Sequence, residues 1–282
     1  MIKVLKPGLF STIQDLGRFG YQEFGVPFSG VMDRQAGHLA NVLLGNNVND
    51  AVIEMTMTGV AIEFNSQTLI CISGADMSPK LNDIPICNYK AIKVKSKDVL
   101  TFGKLENGFR TYLAVLAGFK TELYMKSRSM YKGISLSSQL KKGDHLKIVE
   151  FDRLTSDKNA VLKVNVNYII NQDIEVFKGP EFDLLSAKQQ SKLVNESFTI
   201  SNTNNRMAYQ LKESFENNLD AIITSPVLPG TVQLTPSGKL IILMRDCQTT
   251  GGYPRVLQLK NTAIDALSQK FTGNNIAFKM IM

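Results

Sequence analysis

The chain has 282 residues and a formal net charge of +7; single hydrophobic cores usually stop growing near that length, so two domains are expected. Its 44% hydrophobic and 20% charged residues are ordinary for a soluble globular protein. No apolar run nears the roughly 18 residues of a membrane span, the opening MIKVLKPGLF lacks a signal-peptide core, and scattered lysines without a helix-turn-helix or RNP-type motif argue against nucleic acid.

A cytoplasmic location is therefore the default. The cysteines, Cys71, Cys87 and Cys247, are odd in number and lack C-x-x-C spacing, which indicates neither a disulfide framework nor a zinc site. Two histidines, His38 and His145, exclude a histidine-rich metal site.

Most of the chain reads as short strands rich in Val, Ile, Tyr and Phe, broken by Gly, Pro, Asn and Asp. IKVL (2–5) comes first. The Gly-rich turn STIQDLGRFG, with Gln14, Asp15 and Arg18, follows. DRQAGHLANVLLG then reads as a helix: Asp33 caps it, Ala36, Leu39, Ala40, Leu43 and Leu44 give an apolar face, and Gly45 is a left-handed stop. His38 falls off that stripe and reads as a surface residue. Asn41 and Glu54 suit buried structural hydrogen bonding.

Strands are expected at TLICIS (68–73), where Cys71 acts as a small core hydrophobe, and at AIKVK (91–95), VLTFG (99–103) and TYLAVLAG (111–118). Lys93, Lys95 and Lys97 share a strand face; a solvated face that discourages edge pairing is the reading preferred to docking on an acidic partner. The polar stretch FDRLTSDKNA (151–160) marks a domain boundary, giving a β-rich domain over 1–155 and a second over 156–282. Strands follow at VLKVNVNYI (161–169), IEVFKG (174–179), TVQL (231–234) and KLIILM (239–244). Apolar runs such as LIILM suit strands buried on both faces, as in a closed barrel. A second helix starts near Ser186, where Gln189 completes a capping box. A third covers Thr262–Gln269, with Ala263, Ile264 and Leu267 inward.

Several motifs are missing: a P-loop, a G-x-S-x-G elbow and the Gly/Ser-rich amidase signature. The FKM around Lys279 lies too near the end of the sequence to form a biotin-carrying hairpin, so a biotin-carrier role is not expected.

Three blocks carry a resemblance: PGLFSTIQDLGRFGYQEFGVPFSGVMDRQAGHLANVLLGN (7–46), SNTNNRMAYQL (201–211) and PGTVQLTPSGKLIILMRDCQTTGGYPR (229–255). With SGAD (73–76), RTYLAVLAG (110–118), SRS (127–129), KKGDHL (141–146) and GP (179–180), they occur in the order of the family of 5-oxoprolinase C subunits, also called allophanate hydrolase subunit 2, which this chain resembles. Departures are Lys126 and Met130 around SRS in place of glycine and threonine, Ser137-Ser138-Gln139 in place of a Gly-Arg pair, and Ala208 and Gln210 in place of glycine and arginine.

The resemblance implies a mostly β protein of two domains, the C-terminal one a cyclophilin-like β-barrel. It implies a companion, the B subunit (allophanate hydrolase subunit 1-like), and a further catalytic subunit. Together they would form an ATP-dependent 5-oxoprolinase that opens the lactam of 5-oxoproline, a small-molecule substrate, to glutamate. ATP belongs to the complex, and this chain alone would bind no cofactor and no metal. Related domains form the carboxyltransferase half of urea carboxylase, where carboxybiotin is the carboxyl donor. One member type antagonises a histidine-kinase inhibitor.

The polar residues of these blocks are the site candidates. Asp15 and Arg18 either hold a substrate amide and carboxylate or pair internally to fix their loop. SGVMD (29–33) is a capped helix start, which can also favour an anion. MRDCQTTGGYPR is the strongest candidate: Asp246 and Gln248 as catalytic groups, with Thr249, Thr250, Gly251, Gly252 and Tyr253 binding substrate from a loop on a rigid strand. If the strand continues, Asp246 and Gln248 share a face. Arg206 and Arg128 can bind a carboxylate or phosphate, or buttress loops.

Overall fold

The computed structural model describes residues 1–151 and 164–281. The boundary expected within 151–160 lies, apart from Phe151, outside the described residues. The chain groups into two compact units, Met1–Gly17 with Asp33–Ile170, and Arg18–Met32 with Asn171–Met282. Chain order and spatial grouping part company at Arg18–Met32, which belongs to the second unit.

The first unit holds two sheets. One runs His145–Leu146, Ile2–Lys6, Ala61–Phe64, Val99–Phe102, Pro79–Leu81, Ile84–Pro85; the other runs Phe10–Gln14, Val52–Thr56, Asn107–Val115, Thr68–Asp76, Ile92–Val94. Alternation along the strands sorts the residues. Ile13, Ile53, Leu113 and Ile72 stand in register across the second sheet and join Val4, Ile62 and Leu100 of the first in one buried cluster. Each such side chain contributes about 1.5–3 kcal/mol by leaving water.

The opposite face of the second sheet carries a cross-strand row of Thr12, Glu54, Tyr112 and Ser73. All four are buried, so their polar groups need partners. Helix α1 (Arg34–Leu44) supplies two of them. Ser73 Oγ donates to the Ala36 carbonyl at 2.7 Å, and the Asp33 N–H donates to the Tyr112 hydroxyl at 2.8 Å. Burial drives the Tyr112 pKa well above its usual value. Glu54 faces Arg110 at 3.8 Å, both nearly inaccessible.

Asp33 caps α1 by accepting the Ala36 N–H at 2.9 Å, and Gly45 ends it in the left-handed region at φ 73°. The buried stripe is Ala36, Gly37, Ala40, Asn41 and Leu44. It is rotated from the expected one, because Asn41 turns inward to donate to the Asp50 carbonyl at 2.7 Å and to accept from Asn46 at 3.0 Å. Leu39 and Leu43 flank the stripe half-buried, as does His38, which is not the surface residue expected. Lys93 lies on the edge strand Ile92–Val94, while exposed Lys95 and Lys97 fall in the turn beyond it. The strand expected over 161–169 is not found in its described part, where Asn167–Ile169 forms a 3-10 turn.

The second unit is a closed barrel in the order Asp173–Lys178, Arg255–Leu259, Thr231–Leu234, Lys239–Leu243, Ala208–Ser214, Ser197–Asn204, Asn275–Met280. Asp173–Lys178 and Asn275–Met280 close it as a parallel pair, Ile174 opposite Phe278. Helix α2 (Ala187–Asn195) opens with the expected capping box between Ser186 and Gln189 and packs on Asn275–Met280. Helix α3 (Asn261–Ser268) packs on Asp173–Lys178 and buries Ala263, Ile264 and Leu267. The fold is thus mostly β, with two units and a barrel in the C-terminal half. Among the described residues, no helix is long and apolar enough to cross a membrane.

Candidate functional site

Strand Lys239–Leu243 ends one residue before Met244, and the chain turns instead of continuing. The Met244 and Asp246 N–H groups donate to the Met207 and Arg206 carbonyls at 2.8 and 2.9 Å, and Cys247 N–H donates back to Met244 at 3.1 Å. Asp246 and Gln248 therefore do not share a strand face, contrary to the conditional expectation.

Asp246 is 8% exposed. Its Oδ2 accepts from Arg206 Nε at 2.8 Å and its Oδ1 from Arg206 Nη2 at 3.0 Å. That fork also donates from Nη2 to the Gly30 carbonyl at 2.6 Å. The Arg245 carbonyl accepts the Ser29 N–H at 2.9 Å, while the Arg245 guanidinium reaches Asp265 on α3 at 3.0 Å. Arg206 through its guanidinium and Arg245 through its main-chain carbonyl thus fasten the Ser29–Gly30 stretch of the same unit. The carboxylate expected to do chemistry is engaged in this buried pair.

Beyond it the loop becomes accessible. Gln248 and Thr249 are half-buried, Thr250 is exposed and Tyr253 is 41% exposed. Thr250–Gly251 pairs with Ser225–Pro226 as a two-stranded ribbon, extended by Val227 N–H to Thr249 O and Ile222 N–H to Gly252 O, both 3.0 Å. Val227 and Cys247 pack with Leu243 on the face of the strand opposite Leu240 and Ile242. Burial pushes the Cys247 thiol up to about 12, so it is not a nucleophile near neutral pH. Gln248 Oε1 has no donor among the described residues. Ribbon and barrel are tied by Arg255, which grips Glu181 at 3.0 and 2.8 Å and donates to the Pro226 carbonyl at 3.3 Å. This grip holds the Glu181 carboxyl below the usual carboxylate range.

The other candidates divide by unit. Arg18, in the second unit, is fully buried; its N–H donates to Phe28 O at 2.6 Å and its carbonyl accepts from Gln22 at 2.8 Å, closing the 18–28 loop. In the first unit, Asp15 is 4% exposed and takes the Gly17 and Arg128 N–H groups and the Ser127 and Ser129 hydroxyls, all within 2.6–2.8 Å. Gln14 donates to Thr12 and to the Met130 carbonyl. The sequence singled out Asp15, Arg128 and the SRS motif without indicating that they form one arrangement. Ser127 and Ser129 are its missed members, and the two serines flanking an arginine were the available signal.

A mostly β chain of two units, one a closed barrel with a polar loop at a strand end, matches one known class. Residues 24–280 match the model of the carboxyltransferase domain, subdomain A and B, and the chain belongs to that family. It is 30% identical to the C subunit of 5-oxoprolinase from Haemophilus influenzae, over 100% of this chain and 91% of that protein. To the corresponding 5-oxoprolinase C subunit of Escherichia coli K12 it is 29% identical, over 99% of this chain and 90% of the other. The crystal structure of Kluyveromyces lactis urea carboxylase superposes with a TM-score of 0.85 at 26% identity over 100% of this chain, which spans 27% of that longer chain.

Proposed function

We propose that this chain is the C subunit of a cytoplasmic, ATP-dependent 5-oxoprolinase, opening 5-oxoproline to glutamate together with a companion of the B-subunit type and a further catalytic subunit. The observation that carries this reading is end-to-end similarity to proteins named as 5-oxoprolinase C subunits, through both units and without a large unmatched segment. The chain supplies binding groups, and the two nucleophile candidates of the loop are held back: the loop thiol is kept protonated by burial, and the loop carboxylate is paired with Arg206. The test is co-purification with the B-subunit homologue and the further subunit, then assay of ATP-dependent glutamate formation from 5-oxoproline. The complex should turn over while this chain alone does not; an inactive complete complex would reject the reading.

A second reading rests on the likeness to urea carboxylase. In it the chain is a carboxyltransferase component that takes its carboxyl group from carboxybiotin on a separate carrier. Carboxylation of urea on adding a biotin carrier and biotin carboxylase, without 5-oxoproline turnover, would favour it.

A further inference from the structure

Three arginines were candidates for holding an anion, and the structure treats them differently. The Arg206 fork is engaged by Asp246 and Gly30. Arg18 is fully buried. Arg128 is half-buried, and among the described residues its guanidinium makes no hydrogen bond or ion pair; the interaction it does make runs through its main chain, N–H to Asp15 Oδ2 at 2.6 Å.

That main chain is held with unusual care. Ser127 Oγ and Ser129 Oγ both donate to Asp15 Oδ1, at 2.6 and 2.7 Å, while Ser129 Oγ accepts the Asp15 N–H at 3.1 Å. Both serines are inaccessible to solvent. One residue further on, the Met130 N–H donates to the Ile13 carbonyl at 2.9 Å. On the other side, Tyr124 and Ser127 exchange main-chain hydrogen bonds at 2.8 and 3.1 Å around Met125 and Lys126. Those two residues sit at φ 51° and 62°. Two consecutive left-handed residues make the primed turn that usually calls for glycine or asparagine. A strained turn persists where its surroundings over-determine it, and such turns cluster at ligand-binding positions.

The serines thus turn inward to the Asp15 carboxylate and leave the arginine between them with an unused fork. Exposed Lys126 and Lys132 add positive charge to the same short segment. A planar guanidinium with five donors and no acceptor matches a carboxylate in two parallel hydrogen bonds.

We propose that Arg128 anchors the carboxylate of a small-molecule substrate and that Asp15 is its positioning residue. The identity of the ligand, 5-oxoproline with its single carboxylate, rests on the function proposed above; the anion-binding role of Arg128 does not.

The experiment has two arms. The first titrates the full chain, alone and with its companion, with 5-oxoproline and with acetate as a bare carboxylate, following the Arg128 Nε–H resonance by NMR. The resonance, assigned by its absence in Arg128→Gln, should shift and saturate; no movement with either probe, in either sample, overturns the proposal whatever the activity. The second arm assays the complete complex. Arg128→Gln should raise KM for 5-oxoproline by about 10- to 100-fold with kcat much less changed, the loss expected for one charge-assisted pair. 2-Pyrrolidinone, the same lactam without the carboxylate, should be turned over equally poorly by both enzymes. Asp15→Asn should raise KM in the same direction, and the double variant should be no worse than Arg128→Gln alone. An active complex with an unchanged KM in Arg128→Gln would overturn the anchor, whereas an inactive wild-type complex beside a saturating NMR shift would overturn only the identity of the reaction.

Discussion

Arg206 and Asp246 lie forty residues apart in sequence and meet in a two-pronged ion pair, 2.8 and 3.0 Å, with both side chains about one-tenth exposed or less. Removing one member of such a pair leaves the other charge buried beside a partner that is gone. Asp246→Ala should therefore destabilise the chain by about 3–5 kcal/mol, the cost of breaking a buried pair, read by urea denaturation. Asp246→Asn should cost less, because the amide oxygen still accepts one donor. Normal stability with lost activity in the complex would show instead that Asp246 is catalytic.

The two adjacent glycines of the loop make different demands. A Cβ on Gly251 would come within 2.6 Å of the buried Gln233 side chain, whereas one on Gly252 would meet nothing closer than the Ile222 carbonyl at 3.5 Å. Gly251→Ala should thus cost about 1–3 kcal/mol through overpacking. Gly252→Ala should leave the melting temperature nearly unchanged. If activity nevertheless falls in Gly252→Ala, the bare main chain there is a place where substrate approaches; equal stability losses in the two variants would contradict the packing account.

Where the sequence carried local end signals, the structure agrees with it. Asp33 and Gly45 delimit α1, Ser186 and Gln189 open α2, and the apolar run of KLIILM lies in the barrel wall. What failed was decided by tertiary contacts. The α1 stripe rotated because Asn41 found the Asp50 carbonyl, a partner that periodicity does not weigh. The register of Asp246 and Gln248 was lost because the chain turns at Met244 to meet Met207 and Arg206. The grip of Asp15 on Ser127 and Ser129 spans more than a hundred residues, so Asp15 and SRS each stood out locally without showing that they touch.

The thiols separate by burial. Cys71 and Cys247 are pushed up to about 12 by loss of solvation, whereas Cys87 is exposed. Since the thiolate is the reactive form, one thiol should react with Ellman's reagent within minutes at pH 8 and all three only after denaturation. Two fast-reacting thiols in the native chain would mean that the Val227–Leu243–Cys247 cluster opens.

Lys270 follows α3 and is 4% exposed, and burial pulls its ammonium pKa down to about 8. In the unfolded chain the group titrates near its ordinary value of about 10.4. Below pH 8 both states carry the proton, and in the folded state burial makes the charged form the less favoured one. As pH rises through 8 the folded chain releases its proton while the unfolded chain keeps it, so the unfolded state binds more protons and stability rises. The rise ends near pH 10.4 and amounts to roughly 3 kcal/mol at most from a shift of that size. Lys270→Met keeps the volume of the stem without the charge, so the rise in stability between pH 8 and pH 10 that the wild type shows should be missing from it. Urea midpoints of the two proteins across pH 7–10 measure the difference, and a gap that stays constant over that range would show that Lys270 does not titrate there.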